Sequence, residues 1–315
     1  MAQRAQPING RAGIVAATIV VASVCLAFLG IGLRAEPGAG LGPADWQAIR
    51  FTVVQAALSA LVSVLLAVPL ARALARRQIP GRQVLITLLG APFILPVIVA
   101  VLGLLAVFGR NGWVNGMLEA LGLPAVSIYG LHGVVLAHVF FNLPLATRMM
   151  LQAELAIPSE RFRLAASLGL TPRAHFRLIE WPLILRIAPG AFAVIFVICL
   201  TSFAVALTLG GGPRATTVEL AIYQAMRFEF DLGRAAMLSL IQLALALSAG
   251  VVALKLSRWD GFGLGRGRAV ARWDGRGRLG RSLDGLAVML AAAFLLVPLG
   301  AVIWKGLPGL ALLGS

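Results

Sequence analysis

Charged side chains are scarce in this chain. Only 12% of its 315 residues are Asp, Glu, Lys or Arg, against 60% hydrophobic, and the mean hydropathy is +0.93. So few charges cannot cover the surface of a soluble domain of this length, which leaves an all-α polytopic membrane protein. Cysteine is equally thin: Cys25 and Cys199 both fall in apolar runs, read as small buried hydrophobes, and are silent on redox compartment. Lysine is nearly absent. Neither Lys255 nor Lys305 follows a glycine-rich run, so the chain carries no P-loop with which to bind ATP itself. The three histidines, His132, His138 and His175, lack zinc-ligand spacing, and no G-x-S-x-G occurs. No catalytic set, metal site or cofactor is expected. Acidic residues are missing from every long apolar run, which argues against a carrier coupled to protons or sodium, since such carriers use intramembrane ionisable groups.

What is present is a series of apolar runs long enough to cross a bilayer, about 20 residues each. Seven are expected: 13–33, 51–71, 84–108, 128–147, 187–209, 235–255 and 285–304. The first is too long for a signal peptide and no small-x-small cleavage pattern follows it, so it reads as an anchor. Arginine and lysine mark the cytoplasmic side. With the N-terminus inside, the pieces 1–12, 72–83, 148–186 and 255–284 hold 20 of the 27 basic residues, while acidic residues divide evenly. The formal charge of +15 thus reflects orientation and contact with anionic lipid rather than nucleic acid. Residues 256–284 are rich in Gly and Arg and read as a cytoplasmic linker. Residues 281–307 repeat the layout of 11–34. The expected organisation is therefore a first core over 1–255, the linker, and at 285–315 the first helix of an incomplete second core.

The longest polar segment between spans runs over 154–189. Pro158 and Ser159 can open a helix, with the Ser side chain accepting a first-turn N–H. Gly169 can end that helix in a left-handed turn, and Thr171-Pro172 reads as N-cap and first residue of a second short helix. Pro182 and Pro189 bound the return to apolar sequence. The small pair Ala165/Ala166 offers a face for close approach. On the other side, loop 109–127 reads as irregular. Loop 210–234 opens on the breaker cluster Gly210, Gly211, Gly212 and Pro213, then offers Thr217 and Glu219 ahead of a short amphipathic helix that contains Tyr223. Within the spans, His138 and Asn142 are four residues apart and share a face. They read either as lining for a substrate path or as hydrogen bonds between helices. Gln55 and Gln242 carry the same two readings, and so do Thr201, Ser202 and Phe203.

From Arg163 to Pro182 the sequence RLAASLGLTPRAHFRLIEWP resembles the EAA loop of ABC-importer permeases. Ala165, Gly169, Ile179 and Pro182 match its alanine, glycine, isoleucine and proline at the family's spacing, while Arg163, Leu164 and Trp181 depart from it. IPSERFRLAASLG, IEWP and GGGPRATTVELAIYQ are further similar to permeases of bacterial thiamine and thiamine-pyrophosphate importers. The resemblance implies a type I importer permease with a MetI-like six-helix core plus one extra helix, in the bacterial inner membrane. It implies no enzymatic activity in this chain, ATP being bound by a separate subunit. In that family the loop docks on a dimeric ATPase, which assigns coupling to Ser159, Glu160, Arg163, Ala165, Ala166, Gly169, Ile179 and Pro182. The implied partners are that ATPase, a periplasmic thiamine-binding protein contacting Gly211, Gly212, Pro213, Thr217, Glu219 and Tyr223, and a second permease core. The alternatives are a ferric-iron or polyamine importer of the same class, or a secondary transporter.

Overall fold

The structure is a computed structural model that describes residues 10–33, 41–78, 80–90, 95–256 and 277–311. Among the described residues the regular structure is all helix, and six helices are long and apolar enough to cross a membrane. The first expected span is a further helix, α1 (Gly10–Gly32), whose apolar stretch Gly13–Ser23 is exposed.

The packing centre is α2 (Pro43–Arg76). It opens with Pro43 at its first position, and Asp45 Oδ2 accepts the Gly42 N–H at 2.9 Å. Ala56, Ser59, Ala60, Ser63, Ala67 and Ala71 form a small-residue stripe along it, each at most 1% exposed. Small side chains let helix axes approach closely where lipid offers no hydrophobic drive. Of the helices after α2, in chain order α3 (Arg82–Leu88), α4 (Val97–Phe108), α5 (Trp113–Ala120) and α6 (Leu131–Leu155), α6 is the one that packs most extensively on the stripe. Gly133 permits the entry into α6, because a Cβ there would lie 1.5 Å from the Ile128 carbonyl oxygen.

Two expectations about this stretch change. The expected span 84–108 is divided, since α4 begins behind Pro96, whose missing N–H and fixed φ suit a helix start. The loop 109–127, expected irregular, holds α5. It is pinned by buried Asn115, whose amide donates to the Gly109 and Val126 carbonyls at 2.8 and 3.0 Å and accepts the Val126 N–H at 2.8 Å.

After α6 come α7 (Ser159–Ser167), α8 (Pro172–Leu200), α9 (Phe203–Leu209), α10 (Val218–Gln224), α11 (Leu232–Leu256) and α12 (Arg278–Ala311). The core lies among α2, α6 and α8, around Phe140, Ile195, Leu200 and Leu74. Residues 257–276, most of the expected linker, lie outside the described residues, and α12 starts at Arg278 rather than 285. It packs on α4 and α2. A Cβ on Gly103 would sit 2.6 Å from the Pro298 carbonyl oxygen, and Arg77 Nη2 meets Asp284 Oδ2 at 2.8 Å.

Candidate functional site

Two regions collect the functional residues, one at the arginine-rich end of the bundle and one near the opposite end. At the arginine-rich end, α7 leaves α6 and closes on a Schellman turn. Leu170 N–H donates to the Ala165 carbonyl at 3.0 Å and Gly169 N–H to Ala166 at 3.1 Å, with Gly169 at φ +64°. Thr171 then caps α8, its hydroxyl accepting the Ala174 N–H at 3.3 Å. Both features match the expectation. The opening does not: the Ser159 hydroxyl caps no backbone N–H. It donates to Glu160 Oε1 at 3.0 Å and accepts from Arg163 Nη2 at 3.3 Å. A hydrogen bond from its own backbone N–H, with help from Ser159 and Arg163, holds the exposed Glu160 carboxyl below its ordinary range.

The expected second short helix is also different. From Pro172 the chain runs without interruption to Leu200, so Pro182 and Pro189 lie inside one helix instead of bounding it. At Pro182 a π-turn over Phe176–Glu180 eases the passage: the Trp181 N–H reaches back to the Phe176 carbonyl, widening the helix ahead of Pro182, which has no N–H to give. The loop is thus one short helix joined through a glycine to a long one.

Five residues hold this junction, none of which the sequence assigns to it; His175 is weighed there only as a metal ligand. Buried Glu180 Oε2 accepts from Arg72 Nε of α2 at 2.6 Å, and the Arg72 guanidinium lies 4.0 Å from the Phe176 ring centroid. His175, fully buried, stacks on Phe162 of α7 at 5.2 Å, and its Nδ1 lies 3.6 Å from Glu180 Oε1. Their only sequence signal is a Glu and an Arg that count as loop charges. Ala165 faces inward with Phe162, whereas Ala166, Arg163 and Gly169 are exposed. The outer face of α7 presents Leu164 and Leu168, 60% and 66% exposed and one turn apart. Ile179 and Pro182 line a cavity of about 250 Å³ between the ends of α6 and α8, with Arg161 and Arg186 at its wall.

Near the opposite end α8 stops at Leu200, and Thr201-Ser202 break the helix before α9. The freed carbonyls need donors where water is scarce. Gln55 of α2 donates to the Cys199 carbonyl at 2.8 Å, and Gln242 of α11 to Leu200 at 2.9 Å. His138 bridges Ser59 (Nδ1–Oγ 3.3 Å) and Ser202 (Nε2–Oγ 2.6 Å), while Asn142 donates to the His138 carbonyl at 2.8 Å. His138 and Asn142 are therefore buried in a belt joining α2, α6, α8 and α11. Thr201 is exposed and Phe203 half-buried against Tyr223, ring centroids 5.2 Å apart.

Beyond the break, Gly211 and Gly212 adopt φ of +78° and +125°, and Pro213 opens a single 3₁₀ turn. Thr217 caps α10 by accepting the Leu220 N–H at 3.3 Å, as expected, and Thr52 of α2 accepts the Val218 N–H at 2.9 Å. A cavity of about 350 Å³ opens here, lined by Ala206, Gly211, Thr216, Gln224, Glu229 and Arg234. Arg234 is held by Asp45 at 2.7 Å and by Glu229. Burial pushes the Glu219 carboxyl above its ordinary value. Among the described residues no group of three His, Cys, Asp or Glu could hold a metal ion.

No protein-family model matches the chain. Its sequence is 45% identical to the thiamine transport system permease protein ThiP of Escherichia coli K12, over 97% of this chain and 58% of that protein. The ThiP of Salmonella typhimurium LT2 is 44% identical over the same shares. The chain is homologous to the thiamine-transport permeases. It spans about half the length of these curated relatives, and a Haemophilus influenzae ThiP, 39% identical, matches over 73% of this chain and 44% of its own length. Among solved structures it superposes on a chain of a bacterial alginate ABC transporter in complex with an alginate-bound periplasmic protein. The TM-score is 0.62, at 16% identity, covering 79% of this chain and 95% of that one. A second structure of an alginate-importing ABC transporter gives a TM-score of 0.57 at 18% identity. The fold is that of an ABC-importer permease, and the chain is a multi-pass membrane protein.

Proposed function

We propose that this chain forms one core of the permease of an ABC importer that carries thiamine or thiamine pyrophosphate across the bacterial inner membrane. The observation that carries the reading is the α7–Gly169–α8 junction. A short helix with an exposed apolar edge, Leu164 and Leu168, is joined through Gly169 to a helix that reaches the polar belt. The arginine-rich end faces the cytosol, with the N-terminus inside, by the charge asymmetry of the loops. There two copies of an ATPase subunit grip α7, and the chain binds no ATP of its own.

ATP-driven closure of that dimer displaces α7. Phe162, His175, Glu180 and Arg72 pass the displacement to α8 and α2 as a rigid-body shift, because a packed junction moves as a unit. At the other end of α8 the break at Thr201-Ser202 converts the shift into opening or closing of the path. A periplasmic binding protein delivers substrate to the outer loop that contains Gly211, Pro213 and Tyr223. A second permease core completes the path, and anionic lipid contacts the basic end. The likeness to ThiP supports thiamine as the substrate over ferric iron or polyamine.

The test is uptake of labelled thiamine into right-side-out vesicles that carry the assembled transporter and enclose ATP. Uptake that requires ATP on the cytosolic face, and that excess spermidine or ferric citrate does not compete, supports the reading. Uptake driven by an ion gradient without ATP, or none of thiamine, overturns it.

A further inference from the structure

The outer end of the molecule holds a group of side chains that packing alone does not explain. Phe203, Tyr223 and Phe228 form a chain of edge-on rings, with centroids 5.2 Å and 5.8 Å apart. They are not core: Tyr223 is 38% exposed and Phe228 68%. A π-turn at Ala225–Glu229 interrupts the helix beneath them, and Phe230 is held at φ +55°, a left-handed conformation that costs a side-chain-bearing residue energy. The turn is closed by the Asp231 N–H on the Ala225 carbonyl at 3.0 Å, and Phe228, which lies within it, is the most exposed of the three rings.

Glu219 lies one turn before Tyr223 on α10, hence on the same face. It is half-buried, and among the described residues its carboxylate has no hydrogen-bond or ion-pair partner. An ionised carboxylate in such a place lacks the counter-charge that normally offsets its desolvation. Aromatic rings present their negative faces to cations and not to anions, so the ligand that suits both parts carries positive charge and a flat apolar body.

We infer that Glu219, Tyr223, Phe203 and Phe228 form a binding site for a monocationic heteroaromatic ring, on the outer side of the helix break at Thr201-Ser202. The carboxylate supplies the counter-charge and Tyr223, between the other two rings, supplies the main cation–π surface. This deepens the thiamine reading and rests on it for the identity of the cation, a thiazolium, though not for its chemical class. The site would be where substrate dwells before the path opens past Ser202.

The experiment uses the full chain in lipid nanodiscs with thiamine as probe, read by equilibrium dialysis, alongside ATP-driven uptake by the assembled transporter. Tyr223→Leu and Glu219→Gln each weaken thiamine binding by about tenfold, within the range of a partly desolvated cation–π contact. Tyr223→Phe, which keeps the ring, restores most of the affinity lost in Tyr223→Leu. The neutral thiazole analogue binds wild type and Glu219→Gln alike. Each variant is first shown to melt within a few degrees of wild type, and Glu219→Gln remains informative if the leucine variant does not fold. Equal thiamine affinity in wild type and Glu219→Gln, or no binding by a folded wild type, overturns the site. Intact, variant-sensitive binding without ATP-driven uptake upholds the site and overturns the import reading instead.

Discussion

At the scale of single residues the structure turns on buried polar groups with named partners. Glu180 is fully buried and depends on Arg72, so Glu180→Ala leaves a guanidinium facing an emptied site. The expected loss is about 3 kcal/mol, the low end for a broken buried pair because Arg72 keeps some exposure. Thermal unfolding in detergent measures it. Arg72→Met added to Glu180→Ala should recover part of the loss, since the methionine needs no counter-charge. Glu219 behaves in the opposite sense. Its folded-state pKa lies above the ordinary 4.5, so the folded protein binds the proton more tightly than the unfolded chain. Stability then falls as pH rises from about the ordinary carboxylate value through the raised one. Glu219→Gln should flatten that part of a melting-temperature profile and equal or exceed wild type at neutral pH. A steeper profile in the variant would contradict the assignment.

At the scale of elements much was legible. Gly169 announced its left-handed turn because no other residue adopts φ +64° without penalty, and Thr171 and Thr217 announced their caps because a threonine before a helix has one obvious use. The continuous α8 was not legible. Pro182 and Pro189 look like boundaries; the π-turn at Phe176–Glu180, beside which Arg72 stacks on Phe176, widens the helix just ahead of Pro182, and Pro189 is accommodated within the α-helix beyond it. The break at Thr201-Ser202 was hidden for the converse reason: no glycine or proline marks it, and the donors that stabilise it come from Gln55, Gln242 and His138, far away in sequence. Hydropathy likewise could not say that Ala165 turns inward and Leu164 outward, since the periodicity of a nine-residue helix fits either face. Two predictions belong here. Gly169→Ala meets no atom within 4 Å, so its cost is backbone strain alone, about 1–2 kcal/mol confined to the α7–α8 turn, and is visible as faster hydrogen exchange there. Gly103→Leu, by contrast, must displace α12, because its Cβ would stand 2.6 Å from the Pro298 carbonyl oxygen. A cysteine pair across α4 and α12 that crosslinks in wild type should then fail to do so.

At the scale of the whole molecule, ion pairs at both ends of α2 set the helices in register. Arg72–Glu180 and Arg77–Asp284 lie at one end, Asp45–Arg234 at the other, and the stripe of alanine and serine runs between them. Such bracing of α2 at both ends is the arrangement that the proposed transmission from α7 to the Thr201-Ser202 break calls for. A bulky charge on the hinge should therefore separate insertion from transport: Gly169→Arg is expected to reach the membrane at normal abundance while ATP-driven thiamine uptake falls at least about tenfold, the order of a lost coupling interaction.

All of this depends on α7 standing in the cytosol. The direct measurement is labelling of Ser167→Cys, an exposed position on α7, with a membrane-impermeant maleimide, counting only reaction above that of the unmodified chain. Ser159 would serve badly, being 7% exposed. The account predicts rapid labelling in inverted vesicles and little in intact spheroplasts, with protection when the ATPase subunits are bound. Labelling from the periplasmic face alone would contradict it.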